Sequence, residues 1–220
     1  MSLKKSIPLL ALAALLTLSA CSSSESAGAS STASSSAGAK TSSTGAVSSA
    51  SNLPDYTSLL RNLPQNSSPS FESFSSVDLG GETVTQDIFG DYELTMVNIW
   101  ATFCGPCIRE MPELGEIAKE YKEKGVQIIG IVTDVQNQNG SISNKQIETA
   151  NQIIQKTGAD YPHLLPSNDL YRAQLNQVDS VPTTIFVDKE GKTVGESYVG
   201  ARSKEQWLKI IDELLGGSAE

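Results

Sequence analysis

Two unbroken apolar runs flank a helical pattern in the middle of this chain. Leu94 to Trp100 is nearly free of polar alternation, as is Val126-Gln-Ile-Ile-Gly-Ile-Val132. Runs of this length predict strands covered on both faces, the kind used in parallel sheets. Between them, residues from Cys104 to Lys124 repeat at helical spacing and stop at Gly125. Further on, Ser143-x-x-Gln146 reads as a capping box opening a helix with Ile147, Ala150 and Ile154 on one face. Tyr161 to Leu165 predicts a short strand. Thr183 to Val187 predicts another, with Asp188 to Gly191 as a turn and Lys192 to Val199 as its antiparallel partner. A second box, Ser203-x-x-Gln206, starts a last helix that buries Trp207, Ile211 and Leu214 and ends at Gly216. Upstream, Phe71, Ser73 and Ser75 alternate into Val77 to Gly81, an edge strand and hairpin turn leading to Glu82-Thr-Val84. The alternation of strands and helices predicts an α/β domain over residues 53–220.

The preceding residues carry a different pattern. Lys4 and Lys5 stand before an apolar stretch from Ile7 to Leu18, the layout of a secretory signal over residues 1–20 and short for a membrane span. Leu18-Ser-Ala-Cys21 resembles a bacterial lipobox, whose cysteine is lipidated and becomes the first mature residue. The alternatives are a small-residue cleavage site beside Cys21 or an uncleaved anchor. Residues 22–51 hold 14 Ser and one bulky aliphatic, Val47. Such a segment buries too little apolar area to offset its ordering entropy, so residues 21–52 are expected to form a disordered tether. Its reach would be about 30 Å. Net charge is −9 for the chain and −11 without residues 1–20, which carry two lysines and no acid. An acidic surface argues against nucleic acid and against direct adhesion to anionic lipid. Attachment would come from the lipid on Cys21.

The chemistry lies where the first buried strand meets the helix, in Trp100-Ala-Thr-Phe-Cys104-Gly-Pro-Cys107. Residues three apart on a helix share a face, so these two sulfurs can close a disulfide with little backbone movement. Cys104 would sit at the helix N-terminus, where unpaired N–H groups favour a thiolate, and is therefore the expected attacking sulfur. A structural zinc site needs about four ligands, and outside the pair this chain offers a lone His163. A permanent structural disulfide is the other reading, but so small a loop constrains the unfolded chain very little.

The order of elements and three segments resemble a known family. Ser180-Val-Pro182-Thr-Thr-Ile-Phe is similar to the thioredoxin-superfamily segment whose proline is cis and faces the disulfide. Together with Val97-Asn-Ile-Trp-Ala-Thr-Phe-Cys-Gly-Pro-Cys107-Ile-Arg-Glu110-x-Pro112 and the helical insertion between Val132 and Tyr161, it resembles the bacterial TlpA/ResA-like thiol–disulfide reductases of the redoxin/AhpC-TSA-like superfamily, from about residue 70 to 215. The resemblance implies a thioredoxin-like fold: a mixed central sheet flanked by helices, with an N-terminal strand and hairpin extension and a helical insertion. It further implies a cis Val181–Pro182 bond, with Val181 pairing to a substrate peptide and Trp100, Phe103, Gly105, Pro106 and Pro182 beside it. Two departures matter. Asn98 stands where cytosolic thioredoxins carry a buried Asp, so another proton acceptor is needed, and Glu110 is the candidate; the alternative for Glu110 is a solvated helix-face carboxylate. Phe103 replaces the usual Trp and loses an indole N–H.

These residues imply an extracytoplasmic, lipid-anchored thiol–disulfide reductase whose redox-active group is the Cys104–Cys107 pair itself, with no further cofactor and no metal. Electrons would come from a CcdA/DsbD-type membrane thiol donor and pass to exported protein disulfides, in apocytochrome c or methionine sulfoxide reductase systems. A monomer is expected. A disulfide-forming oxidase, a peroxidase of the same fold and a non-catalytic peptide-binding lipoprotein are the alternatives. Gly105-Pro106 between the cysteines resembles reducing thioredoxins more than strong oxidases.

Overall fold

In the computed structural model the described residues are 53–217. The expected signal segment, Cys21 and the expected tether lie outside them. The elements are α1 (Tyr56–Arg61), β1 (Ser75–Val77), β2 (Thr83–Thr85), β3 (Leu94–Trp100), α2 (Gly105–Tyr121), β4 (Val126–Val132), α3 (Asn144–Thr157), β5 (His163–Leu164), α4 (Asn168–Ala173), β6 (Thr183–Val187), β7 (Thr193–Val199) and α5 (Lys204–Gly217). Five strands form one mixed sheet in the order β5-β4-β3-β6-β7. β4 runs parallel to β3 and to β5, whereas β6 is antiparallel to both β3 and β7. β1 and β2 form a separate antiparallel hairpin. Its β1 arm lies along β5, with Leu165 N–H donating to Val77 O at 2.8 Å and Leu79 N–H to His163 O at 3.0 Å. An otherwise bare sheet edge is thereby covered.

β3 and β4 are buried at every position, which is why they read as continuous apolar runs. Their two faces feed two cores. Met96, Trp100, Ile128, Val132 and Phe186 pack with Met111 and Leu114 of α2, Ile147 of α3, and Trp207 and Ile211 of α5. Val97, Ile99, Ile129, Ile131 and Ile185 pack with Phe71, Phe74, Phe89, Leu170 and Leu175. The sheet is thus the middle of three layers, and α2 packs against β4 with α3 and α5 beside it. No helix of the described residues is long and apolar enough to cross a membrane.

Several local expectations shift. α2 closes at Tyr121, and Lys122–Lys124 form a 3₁₀ turn before Gly125, whose φ of 79° suits glycine. Ser203 and Gln206 make the full reciprocal box, with Ser203 N–H donating to Gln206 Oε1 at 3.0 Å. At α3 only half of it forms: Ser143 Oγ accepts from Gln146 N–H, but the Ser143 amide already donates to Val135 O, leaving the Gln146 side chain free to act elsewhere. The first strand is shorter than the alternation suggested. Phe71 and Phe74 enter the same core, which breaks the period of two, and in β1 both Ser75 and Ser76 are buried. The Ser75 amide donates to Asp169, and Ser76 Oγ donates to Leu165 O. α1 and α4, six residues each, were not anticipated.

Candidate active site

Cys104 and Cys107 are joined in a disulfide with Cα atoms 5.3 Å apart. Cys104 is the N-cap of α2, and the Cys107 amide donates to its Sγ at 3.2 Å. When the pair is reduced, that amide and the positive end of α2 favour negative charge on Cys104. Cys107 is fully buried while Cys104 retains 5% exposure. Only Cys104 can therefore be reached by an incoming sulfur.

The Val181–Pro182 bond is cis. It brings the Val181 carbonyl to 3.5 Å from Cys104 Sγ. A disulfide sulfur has no proton to donate, so this is a packing contact. The Val181 amide has no hydrogen-bond partner among the described residues, while the Pro182 carbonyl accepts from Gly200 N–H at 2.8 Å. One backbone unit beside the sulfur is thus left unpaired at the start of β6. Phe103 is 77% exposed, and Pro106 is exposed with Gly105 half-buried at the same rim.

Trp100 requires a correction. As the last residue of a strand covered on both faces it is fully buried, and its Nε1 donates to His163 Nδ1 at 3.2 Å. It cannot touch a substrate; it anchors the strand end from which the reactive loop departs. The imidazole is itself fixed, its Nε2 lying 3.1 Å from Ala159 O, so Nε2 carries the proton and the ring is neutral. Burial holds its pKa down to about 4. Room for the ring exists because residue 130, paired with His163 across the sheet, is glycine: a Cβ there would lie 2.1 Å from Nδ1.

Glu110 is not a solvated carboxylate, being only 3% exposed on α2. Asn98 Nδ2 donates to its Oε1 at 3.0 Å and to Thr184 Oγ1 at 3.2 Å, and the Arg202 amide donates to Oε2 at 3.1 Å. Burial pushes the carboxyl above the usual range, and the Arg202 amide, the Asn98 side chain and the nearby Trp207 indole oppose this only in part. The indole N–H of Trp207 and Oδ1 of Asn98 are buried without completing a hydrogen bond. Glu110 lies one turn beyond Cys107 on α2, on the same face of the helix.

A further cluster holds the reactive loop. Thr102 N–H and Oγ1 donate to the two oxygens of Asp134 at 3.0 and 2.5 Å, and Gln146 Nε2 reaches both Thr102 Oγ1 and Asp134. The insertion helix α3 is thereby tied to the residue two places before Cys104. Sequence reasoning missed Asp134 and Arg202 and read Gln146 only as a cap. No motif marks them, and the hydrogen bond from Arg202 to Glu110 is made by its main chain.

A family model described as Redoxin matches residues 61–214. Thiol-disulfide oxidoreductase ResA of Bacillus thuringiensis (strain Al Hakam) is 32% identical over 143 residues, covering 63% of this chain and 75% of that protein. ResA of Halalkalibacterium halodurans is 29% identical over 149 residues, covering 65% and 73%. Among solved structures, a thiol:disulfide interchange protein of the thioredoxin family from Chlorobium tepidum TLS aligns with TM-score 0.54 and 25% identity, over 70% of this chain and 99% of that one. A DsbF homologue from Corynebacterium diphtheriae, at TM-score 0.52 and 22% identity over 64% of this chain and 84% of that one, shares the fold. Because the Redoxin match runs from the end of α1 into α5, and the ResA alignment takes in 75% of the Bacillus relative, the chain belongs to the Redoxin family and is a ResA-like thiol–disulfide oxidoreductase of thioredoxin-like fold.

Proposed function

We propose that this chain reduces disulfides of exported proteins at the outer face of a bacterial membrane, held there by a lipid on Cys21. The observation that carries the reading is the asymmetry of the pair: Cys104 is reachable and beside an unpaired backbone edge, while Cys107 is sealed above a buried carboxylate. In the reduced protein the Cys104 thiolate attacks one substrate sulfur, and the other substrate sulfur leaves and takes a proton. Cys107 then gives its proton to Glu110 and attacks Cys104 Sγ, releasing the second substrate thiol and leaving the Cys104–Cys107 disulfide. Two electrons pass to the substrate. A membrane thiol donor of the CcdA/DsbD type returns them. Apocytochrome c and methionine sulfoxide reductase systems are the substrates the ResA likeness suggests.

Cys107→Ser tests this directly. With the resolving thiol gone and the attacking one present, mixed disulfides on Cys104 are expected to accumulate in cells and to be released by a reducing agent. A folded, reduced variant that traps no protein would count against the reading. The reduction potential separates reductase from oxidase, roughly −270 mV against roughly −120 mV. Loss of acyl-dependent membrane association in Cys21→Ala tests the anchor.

A further inference from the structure

The helical insertion between β4 and β5 stands outside the exchange chemistry, yet three of its residues converge on the turn that carries Cys104. Ala101 and Cys104 are buried and their backbones close this turn, with Cys104 N–H donating to Ala101 O at 3.1 Å. Between them the core offers little hold, since Phe103 is 77% exposed and Thr102 is half-buried. The insertion supplies the hold. Thr133 Oγ1 donates to Trp100 O at 3.1 Å, and Asp134 takes the Thr102 amide on one oxygen and the Thr102 hydroxyl on the other. Gln146 closes the cluster from α3, its Nε2 lying 3.1 Å from Thr102 Oγ1 and 3.2 Å from Asp134 Oδ2.

Two features set this cluster apart from ordinary loop bonding. The turn is already closed by its own backbone, so the side-chain bonds act on where the turn sits. Gln146 occupies the position from which a glutamine in a capping box returns to the N-cap amide. Here that amide donates to Val135 O, and the Gln146 side chain is directed to Thr102 and Asp134 instead. Position matters because Cys104 Sγ accepts from the Cys107 amide at 3.2 Å and faces the positive end of α2. Such a bond weakens steeply with misalignment. We propose that Asp134 and Gln146 are positioning residues for the exchange reaction: they hold the Trp100–Cys104 turn so that, once the disulfide is opened, Cys104 Sγ stays against the Cys107 amide as a thiolate. The inference rests on attack by the Cys104 thiolate in the proposed mechanism, and it gives the insertion a task in that step.

The test is the rate at which iodoacetamide alkylates Cys104 in the reduced full chain, measured against pH; the buried Cys107 is out of reach. A carboxylate bonded two residues from Cys104 opposes the thiolate by its charge, so if charge were its only influence Asp134→Ala would speed alkylation at low pH. Positioning predicts the reverse. Partial loss of a hydrogen bond to an ionised sulfur is worth about 5-fold or more, so Asp134→Ala is expected to raise the midpoint of the profile and to slow alkylation below it by that factor. Gln146→Ala should shift the profile the same way by less, and should add little on top of Asp134→Ala, because the two act through one cluster. Asp134→Asn keeps an oxygen for the Thr102 amide and should restore most of the lost rate. Arg109, whose Nη1 lies 3.3 Å from the place of a Cβ on Gly105, and Glu110 are common to all variants and cancel from the comparison. A profile unchanged or moved to lower pH in Asp134→Ala, an Asn variant as slow as the Ala one, or a Gln146→Ala profile equal to wild type would each overturn the inference alone. Reduced wild-type protein that glutathione disulfide cannot oxidise would overturn the exchange mechanism and the inference with it.

Discussion

Glu110→Gln removes a charge and keeps a shape, which makes it the sharpest probe of the buried carboxylate. Two donors meet that carboxylate, Asn98 Nδ2 on Oε1 and the Arg202 amide on Oε2, and a glutamine offers a single oxygen. The backbone amide cannot turn, so the Gln oxygen must face Arg202 and its NH₂ must face Asn98. Asn98 can answer by rotating its amide, which turns its NH₂ into the place where Oδ1 now has no partner and so carries a cost of its own, and Thr184 can reverse its hydroxyl to donate instead of accept. Both bonds survive but fall from charge-assisted to neutral, a loss of about 1 kcal/mol each. Against this, the burial penalty of an ionised carboxylate, several kcal/mol, is gone. The fold is therefore expected to hold at neutral pH with stability unchanged or slightly raised. Sign matters here. Burial raises the carboxyl, so its contribution to native stability is full below the unfolded carboxylate pKa and is lost as pH climbs through the raised one. Urea unfolding of oxidised protein should then show Gln gaining on Glu as pH increases. Resolution of a trapped mixed disulfide by Cys107 should slow by about 10²-fold or more, the usual share of a positioned base. Wild-type resolution rates and pH profile would refute the proton-acceptor role. A Gln variant that loses ground as pH rises would refute the burial argument itself.

Gly130→Ala drives a Cβ to 2.1 Å from the His163 ring, and the overpacking together with a disturbed Trp100–His163 bond should destabilise by about 2–4 kcal/mol in urea titrations; a loss under 1 kcal/mol would mean that the ring has room to move. His163, the single histidine of the chain, should give one pair of imidazole C–H NMR resonances that titrates at about 4. Because the folded value lies below the unfolded one, the stability it supports is full above about 6.5 and fades as pH falls toward the folded value, by on the order of 3 kcal/mol. An ordinary titration midpoint would refute its neutral, doubly bonded state.

Strands covered on both faces were legible to the residue: β3, β4 and β6 match their apolar runs because no solvent face interrupts them. Short elements were not, since α1 and α4 span too few residues for a helical period to declare itself. At the site, the spacing from Cys107 placed Glu110 on the right face of α2. Its surroundings depended on Asn98 and Arg202, the latter 92 positions away and bonding through a main-chain amide. Trp100 was misplaced for a related reason: adjacency to a reactive cysteine in sequence says nothing of which way the last strand residue points.

The amide of residue 202 carries a consequence for mutational scanning. Every residue except proline supplies a main-chain N–H, so exchanging Arg202 for alanine deletes a guanidinium and leaves the donor to Oε2 in place. A survey of charged side chains would assign any loss at position 202 to the guanidinium and pass over the main-chain donor. The dependence is written in the backbone, where only proline can erase it. The guanidinium has separate contacts, to Gly200 O at 2.9 Å and over the Tyr198 and Trp207 rings, so a side-chain exchange tests those and leaves the main-chain bond to the acid untested.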